Sequence, residues 1–279
     1  MDLKVTRSEI ADGVGTVFLH RPGRGNSWSK RMNVEYRWLM AQMDDNPDVR
    51  VIVVTGTGRQ FCVGADFDAL DHYKNGKDDY VTSLTDDSMA EPGHGVRPEF
   101  DADMAWHWGL RTPVIAAING ACAGVAMALA GFCDLRYGMA DTKYTTAAPR
   151  LGLPAEYGLA WLLPRMIGLT YAADVLLSGR IIMAGEMKEM GFLNAVYASE
   201  DFHAEVAATA KYMAEQVSPL AATTTKRQLY GEIMQHDPGA AVDHSKHLIG
   251  ELMRSADYRE GVAAQQEGRA PKFIMGSEK

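Results

Sequence analysis

The chain has 279 residues, 47% of them hydrophobic and 23% charged, enough to bury one large core without a disulfide or metal staple. With 36 acidic against 28 basic residues the net charge is −8, which excludes a bulk nucleic-acid or anionic-membrane binder and leaves room for a local basic pocket. Cys62, Cys122 and Cys133 are the only cysteines, each in an apolar setting, and read as buried free thiols of a reducing compartment. No CxxC or HExxH spacing suggests a metal centre.

The first ten residues are charged and lack a signal-peptide apolar stretch, and the apolar run 114–133 is too interrupted to span a bilayer. A cytoplasmic, soluble protein is expected. Val14 to His20 reads as a strand closed by the turn Arg21-Pro22-Gly23. Ser29 is placed to cap a helix running to about Met43, with Met32, Tyr36, Leu39, Met40 and Met43 on one stripe. Val51 to Thr55 and Val114 to Ile118 are short β-branched runs of the kind buried on both faces. Strands separated by helices predict a mostly parallel α/β sheet. The stretch from Asp71 to Phe100 carries little periodicity and reads as a surface excursion before a helix from Asp101 to Leu110. Beyond Glu200 only helical spacing remains: Phe202, Val206, Ala210 and Met213 mark one helix, followed by 218–235, 239–254 and 257–267. The organisation expected is an α/β core over 1–200 and a helical region over 201–279.

Two segments carry chemistry. Residues 51–70 are a strand, a glycine turn, and Gly64-Ala65-Asp66 opening a helix. Residues 111–135 repeat the device, with small residues from Asn119-Gly120 onward opening an apolar helix. Helix-start amides lack intrahelical partners and favour negative charge. Each segment alone is equally an ordinary turn or a tight packing site. After neighbouring parallel strands, two such turns place two amide-rich helix starts at the sheet edge where α/β folds bind ligands. Two converging amides make an oxyanion hole, suited to an enolate.

The residues HRPGRGNSWS (20–29), VIVVTGTGRQFCVGADF (51–67), PVIAAINGACAG (113–124), CDLRYG (133–138), PRLGL (149–153), AGEMKEMGFLNAVY (184–197) and EGVAAQQEGRAPKF (260–273) together resemble the enoyl-CoA hydratase/isomerase, or crotonase, superfamily, in its order and spacing. The resemblance implies a spiral ββα core, a carboxy-terminal helical trimerisation region, a homotrimer or homohexamer, and an acyl-CoA thioester as substrate with no separate cofactor. It places the two oxyanion-hole amides on Ala65 and Val125. At Val125 the family usually has glycine, so the side chain is expected to narrow the site. The family's hydratases use two glutamates; here those positions hold Ala128 and Arg150, neither of which can act as a base near neutral pH. Six residues later Glu156 stands among Pro154, Ala155, Tyr157 and Gly158, where apolar surroundings should raise its pKa. Family members that move a double bond look similar here, with an acid at this spacing in a glycine-flanked turn. As a bare sequence feature, Glu156 equally suits a helix amino end.

The likeness also implies that Asn26, Trp28, Cys62, Gly64 and Asp66 lie along the adenine and pantetheine of CoA. Arg24, Lys30 and Lys272 are basic candidates for its phosphates. Arg150 is read as a partner for Glu156 or Asp66, a contact for a substrate carboxylate, or a surface residue. His94, His107, Tyr144 and Tyr157 are candidates for the acyl pocket, with Trp106 and Trp108 over it. The leading expectation is an enoyl-CoA isomerase. Hydration, hydrolysis or carbon–carbon cleavage of an acyl-CoA stand as alternatives, as does a non-catalytic CoA-ester-binding scaffold.

Overall fold

The computed structural model describes residues 1–66 and 89–274. The helix expected to open at Gly64 and most of the excursion expected from Asp71 lie outside them. Ser29 accepts the Met32 N–H and starts α1 (Lys30–Asp45), whose expected stripe is fully buried. It covers a six-stranded sheet ordered β1 (Thr6–Ala11), β2 (Val14–Leu19), β3 (Val51–Gly56), β4 (Val114–Ile118), β6 (Leu135–Met139), β9 (Ala195–Tyr197). Only β1 runs antiparallel to its neighbour; the other pairings are parallel. Every residue of β3 and β4 is buried, as their unbroken apolar runs require. A second, three-stranded sheet joins β5 (Cys122–Ala123), β7 (Lys143–Thr145) and β8 (Ile182–Met183).

Helix α2 (Val125–Phe132) is buried along its whole length. Helix α3 (Leu159–Ala173) continues into a wider turn, Asp174–Ser178. Leu159–Ser178 is long and apolar enough to cross a membrane by length and composition, but Gly168, at φ 75° and ψ 160°, interrupts its helical path. After α4 (Ala184–Glu189), α5 (Phe202–Gln216) lays Phe202, Val206, Ala210 and Ala214 on the sheet face formed by Val51, Val53, Ile115, Ala117 and Tyr137. The first helix beyond residue 200 therefore closes the core.

Three further helices follow: α6 (Pro219–Glu232), α7 (Pro238–Leu252) and α8 (Ala256–Glu267). Lys226 docks α6, its Nζ 2.7 Å from Asp134 Oδ2 and 3.1 Å from the Thr112 carbonyl, and Tyr230 stacks on Trp108. Helix α7 buries none of its residues.

The stretch Asp101–Leu110, expected as an α-helix, instead holds one 3-10 turn, Ala105–Gly109, preceded by another at Pro98–Phe100. Met104 between them takes φ 63°, which breaks a helical path, and residues 106–109 are buried on all sides. The three cysteines are free and buried, and burial pushes the Cys62 and Cys133 thiols up to about 12.

Candidate active site

The carboxyl ends of β3 and β4 feed two loops that meet edge to edge. The Cys62 N–H donates to the Ala121 carbonyl and the Ala123 N–H to the Cys62 carbonyl, both at 3.0 Å. On its other side this segment is held by Trp28, whose N–H donates to the Gly64 carbonyl (2.7 Å) and whose carbonyl accepts the Asp66 N–H (2.9 Å). The Gly64–Ala65 peptide is trans, so the Ala65 N–H points opposite to the Gly64 carbonyl, away from Trp28 and toward residues 123–125. Among the described residues it meets no acceptor. The N–H of Val125, first residue of α2, is also without a protein acceptor there.

Gly124 makes this geometry possible. Its φ of 54° and ψ of −122° lie where L-residues do not go. Val125 itself is helical, and its side chain packs into the main core at 3% exposure. The expectation that valine narrows the site is thus corrected: the unusual backbone falls one residue earlier, and the β-branched side chain is turned inward.

Glu156 reaches the same place. A Cβ built on Gly124 would lie 3.7 Å from Glu156 Oε2 and 3.7 Å from the Gly64 Cα. Tyr157 (φ 46°) and Gly158 (φ 74°) turn the chain sharply between Glu156 and α3, and the Leu159 N–H donates to the Glu156 carbonyl. The Glu156 carboxylate is half-buried and accepts no hydrogen bond among the described residues. Burial without compensating donors pushes its pKa up, as its apolar neighbours predict. Phe132 touches the site from behind, 3.8 Å from a Cβ built on Gly158, and Trp108 packs edge-on against Phe132 with ring centroids 5.1 Å apart.

The remaining candidates divide clearly. Ala128 is fully buried in α2, and Arg150 is exposed without an ion pair among the described residues. Arg150 is therefore no partner of Glu156 or Asp66; the cation on Asp66 is Arg21. Asn26 spends its amide on the Thr57 and Gln60 carbonyls and on the Arg21 N–H. Trp28 is buried against Tyr36, and the Cys62 thiol is fully enclosed. These side chains build the loop that carries Ala65. Lys272 lies beside Asp12 and Gly13, at the amino ends of β2 and β3 and so at the far end of the sheet from Ala65.

His107 is also structural. It is sealed between the Tyr36 hydroxyl (2.7 Å) and the Met104 carbonyl (2.6 Å), and burial lowers its pKa to about 3, so it stays neutral. Tyr144 is likewise fully buried. The sequence marks Arg21 only as a turn residue and Ser27 only as part of the CoA-facing Asn26-Ser27-Trp28 turn; the contact of both with Asp66 appears in the structure.

Comparison with known proteins decides the family. The sequence profile described as enoyl-CoA hydratase/isomerase matches residues 9–275. The chain belongs to the enoyl-CoA hydratase/isomerase family. It is 28% identical over 277 residues to a peroxisomal Delta(3,5)-Delta(2,4)-dienoyl-CoA isomerase of Arabidopsis thaliana, covering 97% of this chain and 96% of the relative. It is 33% identical over 274 residues to the probable enoyl-CoA hydratase EchA12 of Mycobacterium tuberculosis, covering 96% and 90%. Among solved structures, a probable enoyl-CoA hydratase/isomerase from Mycobacterium abscessus superposes with a TM-score of 0.82 at 30% identity, covering 96% of this chain and 98% of that one. An enoyl-CoA hydratase from Bacillus anthracis gives 0.83 at 25% identity, covering 97% and 99%. The crotonase-like α/β core with its carboxy-terminal helices is the fold read from the sequence.

Proposed function

We propose that this family member moves a double bond within an enoyl-CoA. The observation that carries the reading is the acid beside the amide-bearing turn: Glu156 Oε2 lies 3.7 Å from a Cβ built on Gly124, while the positions of both hydratase glutamates hold Ala128 and Arg150. A thioester oxygen accepting the Ala65 and Val125 N–H groups acidifies the α- and γ-hydrogens of the acyl chain. Glu156 removes a proton from one carbon, the electrons delocalise into a planar dienolate, and the same carboxyl returns the proton to the other carbon. One carboxylate suffices because removal and return use one face. Each aligned donor contributes roughly 3–4 kcal/mol in the transition state. General base catalysis adds on the order of 10²–10⁴-fold. The reaction is redox-neutral and needs no cofactor beyond the CoA carried by the substrate.

The Asn26–Trp28 and Cys62–Asp66 segments meet CoA chiefly through main-chain atoms, since the side chains of Asn26, Ser27, Trp28, Cys62 and Asp66 are buried within the protein. Exposed Arg24 and Lys30 flank the first segment and supply the basic contacts for phosphate. The assembly is a homotrimer or homohexamer in the cytoplasm, supported by the exposed Val242 and Ile249 of α7 and Met253 just beyond it. Sedimentation of a monomer at micromolar concentration would remove the oligomer.

The deciding experiment incubates the enzyme with 3-enoyl-, 2-enoyl- and ring-bearing acyl-CoA esters and reads products by mass and ultraviolet spectrum. Unchanged mass with altered conjugation is the expected result. A gain of water, release of CoA, or no reaction with intact binding would instead identify a hydratase, a hydrolase or a silent scaffold.

A further inference from the structure

Among the buried charged groups that the proton shuttle does not use, one lies directly beside the site. Asp66 is 4% exposed, and it follows directly on the Ala65 amide. Its Oδ2 lies 2.5 Å from Arg21 Nη1 and accepts the Ser27 hydroxyl at 3.0 Å. The same Arg21 nitrogen donates to the Ser27 carbonyl at 2.8 Å and lies 3.1 Å from Ser27 Oγ. Arg21 is itself fixed at the main chain, its N–H on Asn26 Oδ1 at 2.8 Å and its carbonyl accepting the Asn26 N–H at 3.0 Å. A closed unit thus runs from Arg21 to Trp28, and it holds the Gly64–Asp66 segment twice: through the Trp28 main chain and through the Asp66 carboxylate.

A buried ion pair is a weak device for stability, because desolvation offsets most of the attraction. Its geometric value is larger. A bond to a carboxylate with two fixed donors defines the direction of the adjoining peptide, and an oxyanion donor must be aimed within a few tenths of an ångström.

We propose that Asp66, clamped by Arg21 and Ser27, is a positioning residue that sets the aim of the Ala65 N–H and hence the polarisation of the substrate carbonyl. The proposal rests on the reading of Ala65 and Val125 as oxyanion donors. It assigns no proton transfer to Asp66 and no contact with substrate.

The test binds a non-isomerisable conjugated aryl thioester of CoA to wild type, Asp66→Asn, Ser27→Ala and Arg21→Lys, and records the thioester C=O stretch by isotope-edited vibrational spectroscopy. Turnover, KM and melting temperature are measured beside it. In wild type the stretch falls below that of the free thioester. Asp66→Asn keeps the shape and is expected to lose most of that downshift, with turnover falling roughly 10–100-fold and KM changing less than about threefold. Ser27→Ala loses a smaller part. A residue that only supported stability would lower the melting temperature and leave the downshift of the folded protein intact. That result in Asp66→Asn overturns the clamp. Should Asp66→Asn fail to fold, a full downshift in both Arg21→Lys and Ser27→Ala overturns it equally. Absence of any downshift in wild type removes the oxyanion reading, and the clamp with it; retention of the downshift in the variants removes the clamp alone.

Discussion

Glu35, at the junction of α1 with the amino-terminal strand, and Glu156, in the turn before α3, are both withdrawn from water yet titrate in opposite directions. Burial pushes the Glu35 pKa up, but the N–H groups of Val5 and Lys4 and the side chains of Arg31 and Thr6 more than offset it and hold the group below its ordinary value. Its two oxygens meet the Val5 N–H at 2.9 Å, the Thr6 N–H and hydroxyl at 3.0 Å, and Arg31 Nε at 2.5 Å. Glu156 has burial and, among the described residues, no donors, and burial raises its pKa. Burial alone does not decide what a carboxylate does. Donors that solvate the anion make it an anchor; their absence leaves it ready to take a proton.

The largest effect expected from breaking this contrast is on chemistry. Glu156→Gln keeps the shape and removes the base, and steady-state kinetics should show turnover at least about 10²-fold lower with little change in KM. Glu35→Gln should do the reverse. It places an amide against donors that need an anion, and urea unfolding should show a loss of about 3 kcal/mol while the folded protein turns over at nearly the wild-type rate.

Acidity sharpens the comparison next. Turnover should fall on the acid side through the raised Glu156 pKa, a midpoint above the ordinary 4.5. For stability the signs differ. The lowered Glu35 pKa gives stability that is present above 4.5 and lost as pH falls through the folded-state value. The raised Glu156 pKa favours the fold below 4.5, and that advantage is lost as pH rises through the folded-state value. Glu156→Gln should therefore melt higher than wild type near neutral pH, with the gap closing below 4.5. The smallest effect on turnover concerns the donor pair. Val125→Gly empties a buried core position and should cost roughly 2–4 kcal/mol in urea unfolding. Steady-state kinetics of the folded variant should stay within a few-fold of wild type, because the amide is already aimed by Gly124.

The parts legible in the sequence were those with a period or a motif. The stripe of α1, the buried runs of β3 and β4, and the four carboxy-terminal helices fall where spacing placed them. Strand β1 gave no signal because five of its six residues face solvent, which removes the alternation that marks a half-buried strand. The 3-10 turns around Trp106 escaped because aromatic density there imitates a helix face. At the site, family spacing singled out Glu156, Ala65 and Val125, and the fold brings their segments together around Gly124. The roles of Asn26, Trp28 and Cys62 as scaffolding were not, since a polar or aromatic residue in a loop reads the same whether it faces a ligand or the next turn. The position of Lys272 within its own chain, at the opposite end of the sheet from Ala65, was not legible either: proximity in a motif says nothing about which end of a sheet the chain has reached.

The donors proposed at Ala65 and Val125 are main-chain groups. Almost any single substitution leaves a peptide N–H in place, so on the proposed mechanism the anion-stabilising half of the site is sheltered from most point mutations. The proton-handling half of that proposal hangs on one codon, that of Glu156. A lineage can therefore exchange one reaction for another by moving a carboxylate around an unchanged electrophilic centre, losing one activity without first losing the capacity to stabilise an enolate. Introducing an acid at the exposed Arg150 asks that question directly, on a surface that tolerates the change. The same step at Ala128 has to open the buried wall of α2.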